Sequence, residues 1–103
     1  MNSFTSVVRK ATVCNNGVIL SIQASNFHYC SPRRNLESKC YYEFEVGYIS
    51  DSNNNRIAAP ESWKEYAEDG TLLSNVFAYV PKQLIVDFIK ENGGIKYSEF
   101  DCF

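Results

Sequence analysis

The dipeptide Asn16-Gly17 restricts the fold more than any other pair of residues in the chain. It separates Phe4 to Cys14, which carries Val7, Val8, Ala11 and Val13, from a run in which Val18, Leu20 and Ile22 alternate with Ile19, Ser21 and Gln23. Alternation at period two puts successive side chains on opposite faces of a strand. An Asn-Gly pair supplies the positive backbone dihedrals that a tight hairpin turn demands. The chain is therefore predicted to open with two antiparallel neighbouring strands.

The rest of the sequence extends that start. Tyr42, Phe44, Val46 and Tyr48 alternate with Tyr41, Glu43, Glu45 and Gly47, which predicts a strand with one apolar and one acidic face. Asp51 to Asn55 is a polar surface connection. Pro60 to Ala67 fits a short helix, with proline near its start, acid in its first turn, and Trp63 and Tyr66 three apart on one side. Ser74 to Val80 reads as a further strand, and Pro81 then fixes φ for a first helical position. Leu84, Ile85, Phe88 and Ile89 form one apolar stripe, and the helix stops at Asn92-Gly93-Gly94, where glycine can take a left-handed cap. The expectation is a single domain over residues 1–103 of the α+β class. It is an antiparallel sheet of about four strands packed by a C-terminal amphipathic helix and one short helix. The sheet face that the helix leaves uncovered carries Tyr and Glu side chains, which predicts a homodimer or a higher homo-oligomer.

The densest chemistry lies in Gln23 to Arg34, which leaves the second strand, holds the only histidine, and reaches a pair of arginines through Pro32. Arg33 and Arg34 can grip phosphate bidentately, and Phe27, His28 and Tyr29 offer faces for a base or ribose. The same Phe and Tyr are equally at home in a core, and the arginines in solvent. The candidate ligand is thus small, flat and anionic. With a net charge of −2 and a pI near 5.3, the chain lacks the broad basic face of a DNA or RNA coat, so any phosphate site must be local.

Four cysteines at 14, 30, 40 and 102 show no Cys-x-x-Cys pair, and one histidine is too few for a zinc cage. No metal and no cofactor is expected. Met1 to Phe4 shows no basic region followed by an apolar run, and no window approaches the roughly 20 apolar residues that span a bilayer, so a cytosolic chain with reduced, buried thiols and no membrane partner is expected. His28 and Cys30 lack an orienting acid beside them in sequence, and Glu43 with Glu45 reads as a solvated face, so no enzyme is predicted. Phe77 and Tyr79 belong to an aromatic row that defaults to core or interface.

Two stretches, Ser21 to Arg33 and Val76 to Pro81 followed by Glu91-Asn92-Gly93-Gly94-Ile95, together with Tyr42 to Ser50, resemble small phage and prophage proteins. The resemblance is to the Thoeris anti-defence family of the first type, and it covers nearly the whole chain. It implies a non-enzymatic sponge that binds a cyclic ADP-ribose-type signal, glycocyclic ADP-ribose, made by a bacterial TIR-domain enzyme. The signal would be held in the cytoplasm of the infected bacterial host and withheld from its effector. Members of the family assemble as dimers or larger oligomers. By motif position the implied ligand-binding residues are Ser25, Phe27, His28, Arg33 and Arg34, with Phe77, Tyr79 and Asn92 from a second element. Two other classes stay open: a small inhibitor that blocks a defence protein by direct contact through the acidic Tyr/Glu face, and a cyclic nucleotide hydrolase relying on His28 or on Glu43 and Glu45.

Overall fold

The computed structural model describes residues 9–25, 28–32, 41–100 and 103. The opening hairpin forms, but of the Asn16-Gly17 pair only Gly17 takes a positive φ, and the turn runs over Asn15, Asn16 and Gly17, with Cys14 N–H donating to Val18 O at 2.8 Å. Strand β1 (Thr12–Cys14) runs antiparallel to β2 (Ile19–Gln23), with Val13 opposite Ile19 and Gly17 at φ 93° in the turn. The remaining elements are β3 (Glu43–Ser50), the two-residue β4 (Arg56–Ile57), a 3-10 helix (Glu61–Tyr66), β5 (Val76–Pro81), helix α1 (Lys82–Glu91) and β6 (Ile95–Tyr97). The sheet order is β4-β3-β2-β1-β6, and β5 also pairs with β3, every pairing being antiparallel. The α+β architecture matches the expectation. The sheet is wider than four strands because β4 and β6 are too short to show alternation.

The longest strand, β3, organises the domain, since β2 lies along one edge while β5 and β4 share the other. Phe44 and Val46 are buried as predicted, but Tyr48 is 47% exposed and does not continue their face. The reason is a β-bulge. Between Leu20 and Ile22 of β2 the register shifts, so that Gly47 and Tyr48 together oppose Ser21. The extra residue turns Tyr48 outward, where the Arg56 guanidinium sits 4.6 Å from its ring centre, and returns Ile49 to the core. Glycine at 47 relieves a close approach, since a Cβ there would stand 3.1 Å from Ser21 Cβ.

Two groups of aromatic rings fill the core. Phe44 packs against Tyr41, Phe100 and Phe103 with ring centres 5.8, 5.4 and 5.0 Å away. Trp63, carried in by the 3-10 helix, lies 5.6 Å from both Phe77 of β5 and Phe88 of α1. Helix α1 buries Ile85, Phe88 and Ile89, three of the four residues in the predicted stripe. Pro81 is still the last residue of β5 and stands at the helix N-cap, one position earlier than expected. At the other end, Gly93 N–H donates to Lys90 O at 3.1 Å and Gly94 N–H to Ile89 O at 2.9 Å, a Schellman cap with both glycines at positive φ.

That cap is fastened to the first hairpin. Asn15 N–H donates to Gly94 O at 2.9 Å and Asn16 N–H to Asn92 O at 3.3 Å. The side chains repeat the pattern, Asn15 Nδ2 donating to Gly93 O at 2.7 Å and Asn16 Nδ2 to Asn92 Oδ1 at 2.8 Å. Among the described residues no helix is long and apolar enough to cross a membrane.

Candidate functional site

The segment after β2 is held in place by hydrogen bonds at each described step. Gln23 exchanges both amide groups with the Arg9 backbone, Arg9 N–H to Oε1 at 2.8 Å and Nε2 to Arg9 O at 2.7 Å, so its side chain acts as one rung of a ladder. The buried Cys30 thiol donates to Ser25 O at 3.1 Å and accepts Ser25 N–H at 3.3 Å, which ties Cys30 to the residue just beyond β2. Ser31 then pairs with Glu43 at the start of β3. The Ser31-Pro32 peptide is cis.

This loop reaches β5 through Tyr29. Its carbonyl accepts the Tyr79 N–H at 3.0 Å, and its own N–H donates to Glu45 Oε1 at 2.9 Å. Tyr79 can meet it because β5 carries a bulge. The register moves from Phe44 opposite Val80 to Val46 opposite Phe77, so Ala78 and Tyr79 together face Glu45. Tyr79 stands at φ 57°, in the left-handed region that a bulky residue enters only at a cost of roughly 1–2 kcal/mol. The bulge frees its N–H from the ladder and turns its ring outward. The Tyr29 and Tyr79 rings lie 6.0 Å apart at 31°, and both stay exposed, 38% and 40%.

Beside this pair, Ser25 Oγ and His28 Nδ1 share a hydrogen bond of 2.7 Å. Ser25 is fully buried and His28 is half-buried. If the hydroxyl donates, Nε2 carries the ring proton and presents a donor; if Nδ1 donates, Nε2 accepts. In both cases the serine fixes the imidazole plane. A hydroxyl and an imidazole at this distance resemble the nucleophile and base of a hydrolase. Burial of Ser25 keeps its oxygen out of reach of a bound molecule, so orienting the ring is the role this geometry suits.

The residues singled out from sequence fall into three groups. Ser25, His28 and Tyr79 are brought into one neighbourhood. Phe27, Arg33 and Arg34 lie outside the described residues. Phe77 and Asn92 belong elsewhere. Phe77 is 1% exposed and packs against Trp63, because strand alternation points it inward where Tyr79 points out. Asn92 sits at the helix cap beside Asn16, at the far end of β2 from Ser25. The strand that separates them, five residues long, spans about 16 Å at roughly 3.3 Å per residue. Its amide is already committed, Nδ2 donating to Phe88 O at 2.8 Å and Oδ1 accepting from Asn16.

Glu45 enters the site without a signal in its local sequence. Read as a solvated partner of Glu43, it instead takes the Tyr29 N–H, sixteen positions away. Elsewhere, a groove of about 300 Å³ is bounded by Glu68, Asp69, Ser74, Asn75 and Val76. Two of its polar side chains are paired within the fold: Asp69 accepts from Thr71 N–H at 2.9 Å and from Thr71 Oγ1 at 2.8 Å, and Ser74 Oγ donates to Val76 O at 2.8 Å. The Thr71 bonds hold the Asp69 carboxyl below the usual carboxylate range. Among the described residues no group of three or more His, Cys, Asp or Glu side chains is placed to hold a metal ion. Comparison of the chain with models of known families, with curated proteins and with solved structures finds no match.

Proposed function

We propose that the protein binds and sequesters a cyclic ADP-ribose-type nucleotide, glycocyclic ADP-ribose, in the cytoplasm of an infected bacterium, withholding it from the effector it would activate and releasing it unaltered. The observation that carries this reading is the exposed Tyr29/Tyr79 pair, fixed by a strand bulge and a backbone hydrogen bond beside an oriented His28. Tyrosine faces at a protein surface stack on planar bases, at roughly 1–3 kcal/mol per base. Holding rings in place before the ligand arrives reduces the entropy lost on binding. Arg33 and Arg34, adjoining the same loop in sequence, are the proposed phosphate partners. The resemblance of Ser21 to Arg33 and Val76 to Pro81 to the Thoeris anti-defence family supports the choice of ligand. A homodimer or larger assembly, using the exposed Tyr42 and Tyr48, accompanies this role.

The test mixes purified protein with glycocyclic ADP-ribose, follows depletion of free ligand, and then denatures the protein by heat and identifies the released compound by mass spectrometry. Intact ligand recovered in proportion to protein is the expected result, and Tyr79→Ala should weaken binding by about 5- to 150-fold, the worth of one stacked base. Altered ligand would make the protein an enzyme. Absence of depletion would favour the second reading, a direct-contact inhibitor of a bacterial defence protein, which finds support in Tyr42, 76% exposed next to Glu43.

A further inference from the structure

Glu45 is anchored at one oxygen and open at the other. Oε1 accepts the Tyr29 N–H at 2.9 Å, whereas Oε2 makes no hydrogen bond among the described residues. The carboxylate stands opposite the Ala78-Tyr79 bulge and is bonded to the backbone of the other ring residue, so it borders the stacking pair from the β3 side. A carboxylate accepts hydrogen bonds and donates none, and it repels phosphate. From these facts, and resting on the nucleotide-binding reading above, we infer that Glu45 reads the edge of the stacked base and selects one bearing an exocyclic amino group, as adenine does, over the corresponding 6-oxo base.

The arrangement also orients the ligand. A base laid on the exposed face of the Tyr29/Tyr79 pair can donate its amino hydrogen to Oε2, while the pyrophosphate is turned away from Glu45 toward the His28 side of the loop. Replacing the amino group by a carbonyl sets two acceptors against each other and leaves the carboxylate without its donor. Glu45 is therefore a specificity determinant whose anchoring bond to Tyr29 keeps its free oxygen in position.

Titration calorimetry with two probes tests this: glycocyclic ADP-ribose and its hypoxanthine counterpart, obtained by deamination with nitrous acid. The wild-type protein should bind the amino form about ten-fold or more tightly, the worth of one charge-assisted hydrogen bond. Glu45→Gln keeps an acceptor for Tyr29 N–H but presents an amide N–H₂ at the second position, so the preference should reverse toward the oxo form. Equal affinity of the wild-type protein for both probes would overturn the inference while leaving sequestration intact. So would a Glu45→Gln variant that loses affinity for both in parallel. Binding of neither probe would overturn sequestration and the base selection together.

Discussion

Tyr79 offers a test of the bulge that needs no ligand. At an ordinary strand position, glycine is less stable than alanine by roughly 0.5–1 kcal/mol, because it loses more backbone freedom on folding. At φ 57° the order should invert. Alanine there bears the steric cost of the left-handed region, about 1–2 kcal/mol, and glycine does not. The ring contact with Tyr29 is lost equally in both variants and cancels. The difference leaves Tyr79→Gly more stable than Tyr79→Ala by about 0.5–1 kcal/mol. For a domain of this size, that is a gap of about 2–6 °C in melting temperature. Trp63, the single tryptophan and 1% exposed, reports unfolding by its fluorescence. Ala78→Gly, one residue earlier and not at positive φ, should destabilise in the ordinary direction and serves as the control. If Tyr79→Ala equals or exceeds Tyr79→Gly in stability, the left-handed bulge is not the conformation in solution, and the account of how the two rings meet fails with it.

Asn92→Ala removes the bonds to Asn16 and to Phe88 O. It should cost about 1 kcal/mol in urea unfolding without changing nucleotide affinity, the outcome that separates a fastening residue from a ligand contact. Gly47→Ala should cost roughly 1–3 kcal/mol by crowding Ser21, with Ser21→Gly restoring part of it in a double-mutant cycle. Asp51 accepts the N–H groups of Asn53 and Asn55, each at 2.9 Å, and the Asn55 bond leads in holding its carboxyl below the usual range. A depressed carboxylate stabilises the fold fully above its unfolded value and loses that contribution as pH falls through the folded one. NMR titration of the Asp51 carboxyl should therefore give a midpoint below that of a model peptide, and Asp51→Asn should flatten the acid limb of the stability profile.

Elements whose signal lies within a few neighbouring residues were legible in the sequence. The Asn16-Gly17 turn, the stripe ending at Asn92-Gly93-Gly94, and the core positions Phe44 and Val46 follow from turn chemistry and periodicity alone. The two bulges do not. Each depends on which residue of a distant strand lies opposite, so Tyr48 was expected on the apolar face, and nothing near Tyr79 in sequence marks it as left-handed. The candidate site shows the same division. Ser25 and His28 are three apart and could be grouped by proximity, and Tyr79 could be proposed as a second element. The bond from Tyr29 to Glu45 is made by strand register and was invisible. Phe77 and Asn92, implied as ligand contacts only by the resemblance, face the core and the helix cap, in line with the residue-level expectation of an aromatic core row and a helix end at Asn92.

The fastening of the helix cap to the first hairpin has a kinetic consequence. Asn15 and Gly93 are separated by 78 positions, so their contact forms only after a long segment of chain has been closed, at an entropic cost that a local turn does not face. Contacts of this span tend to complete late, after strands and helix have largely assembled. Weakening them should then accelerate unfolding more than it slows folding. It should also make the backbone amides of Asn16 and of the last turn of α1 exchange with solvent at one shared rate, as a single cooperative unit that opens from the end of the domain remote from Tyr29 and Tyr79. A unit that opens from that end would thereby be kept apart from the Tyr29 and Tyr79 rings.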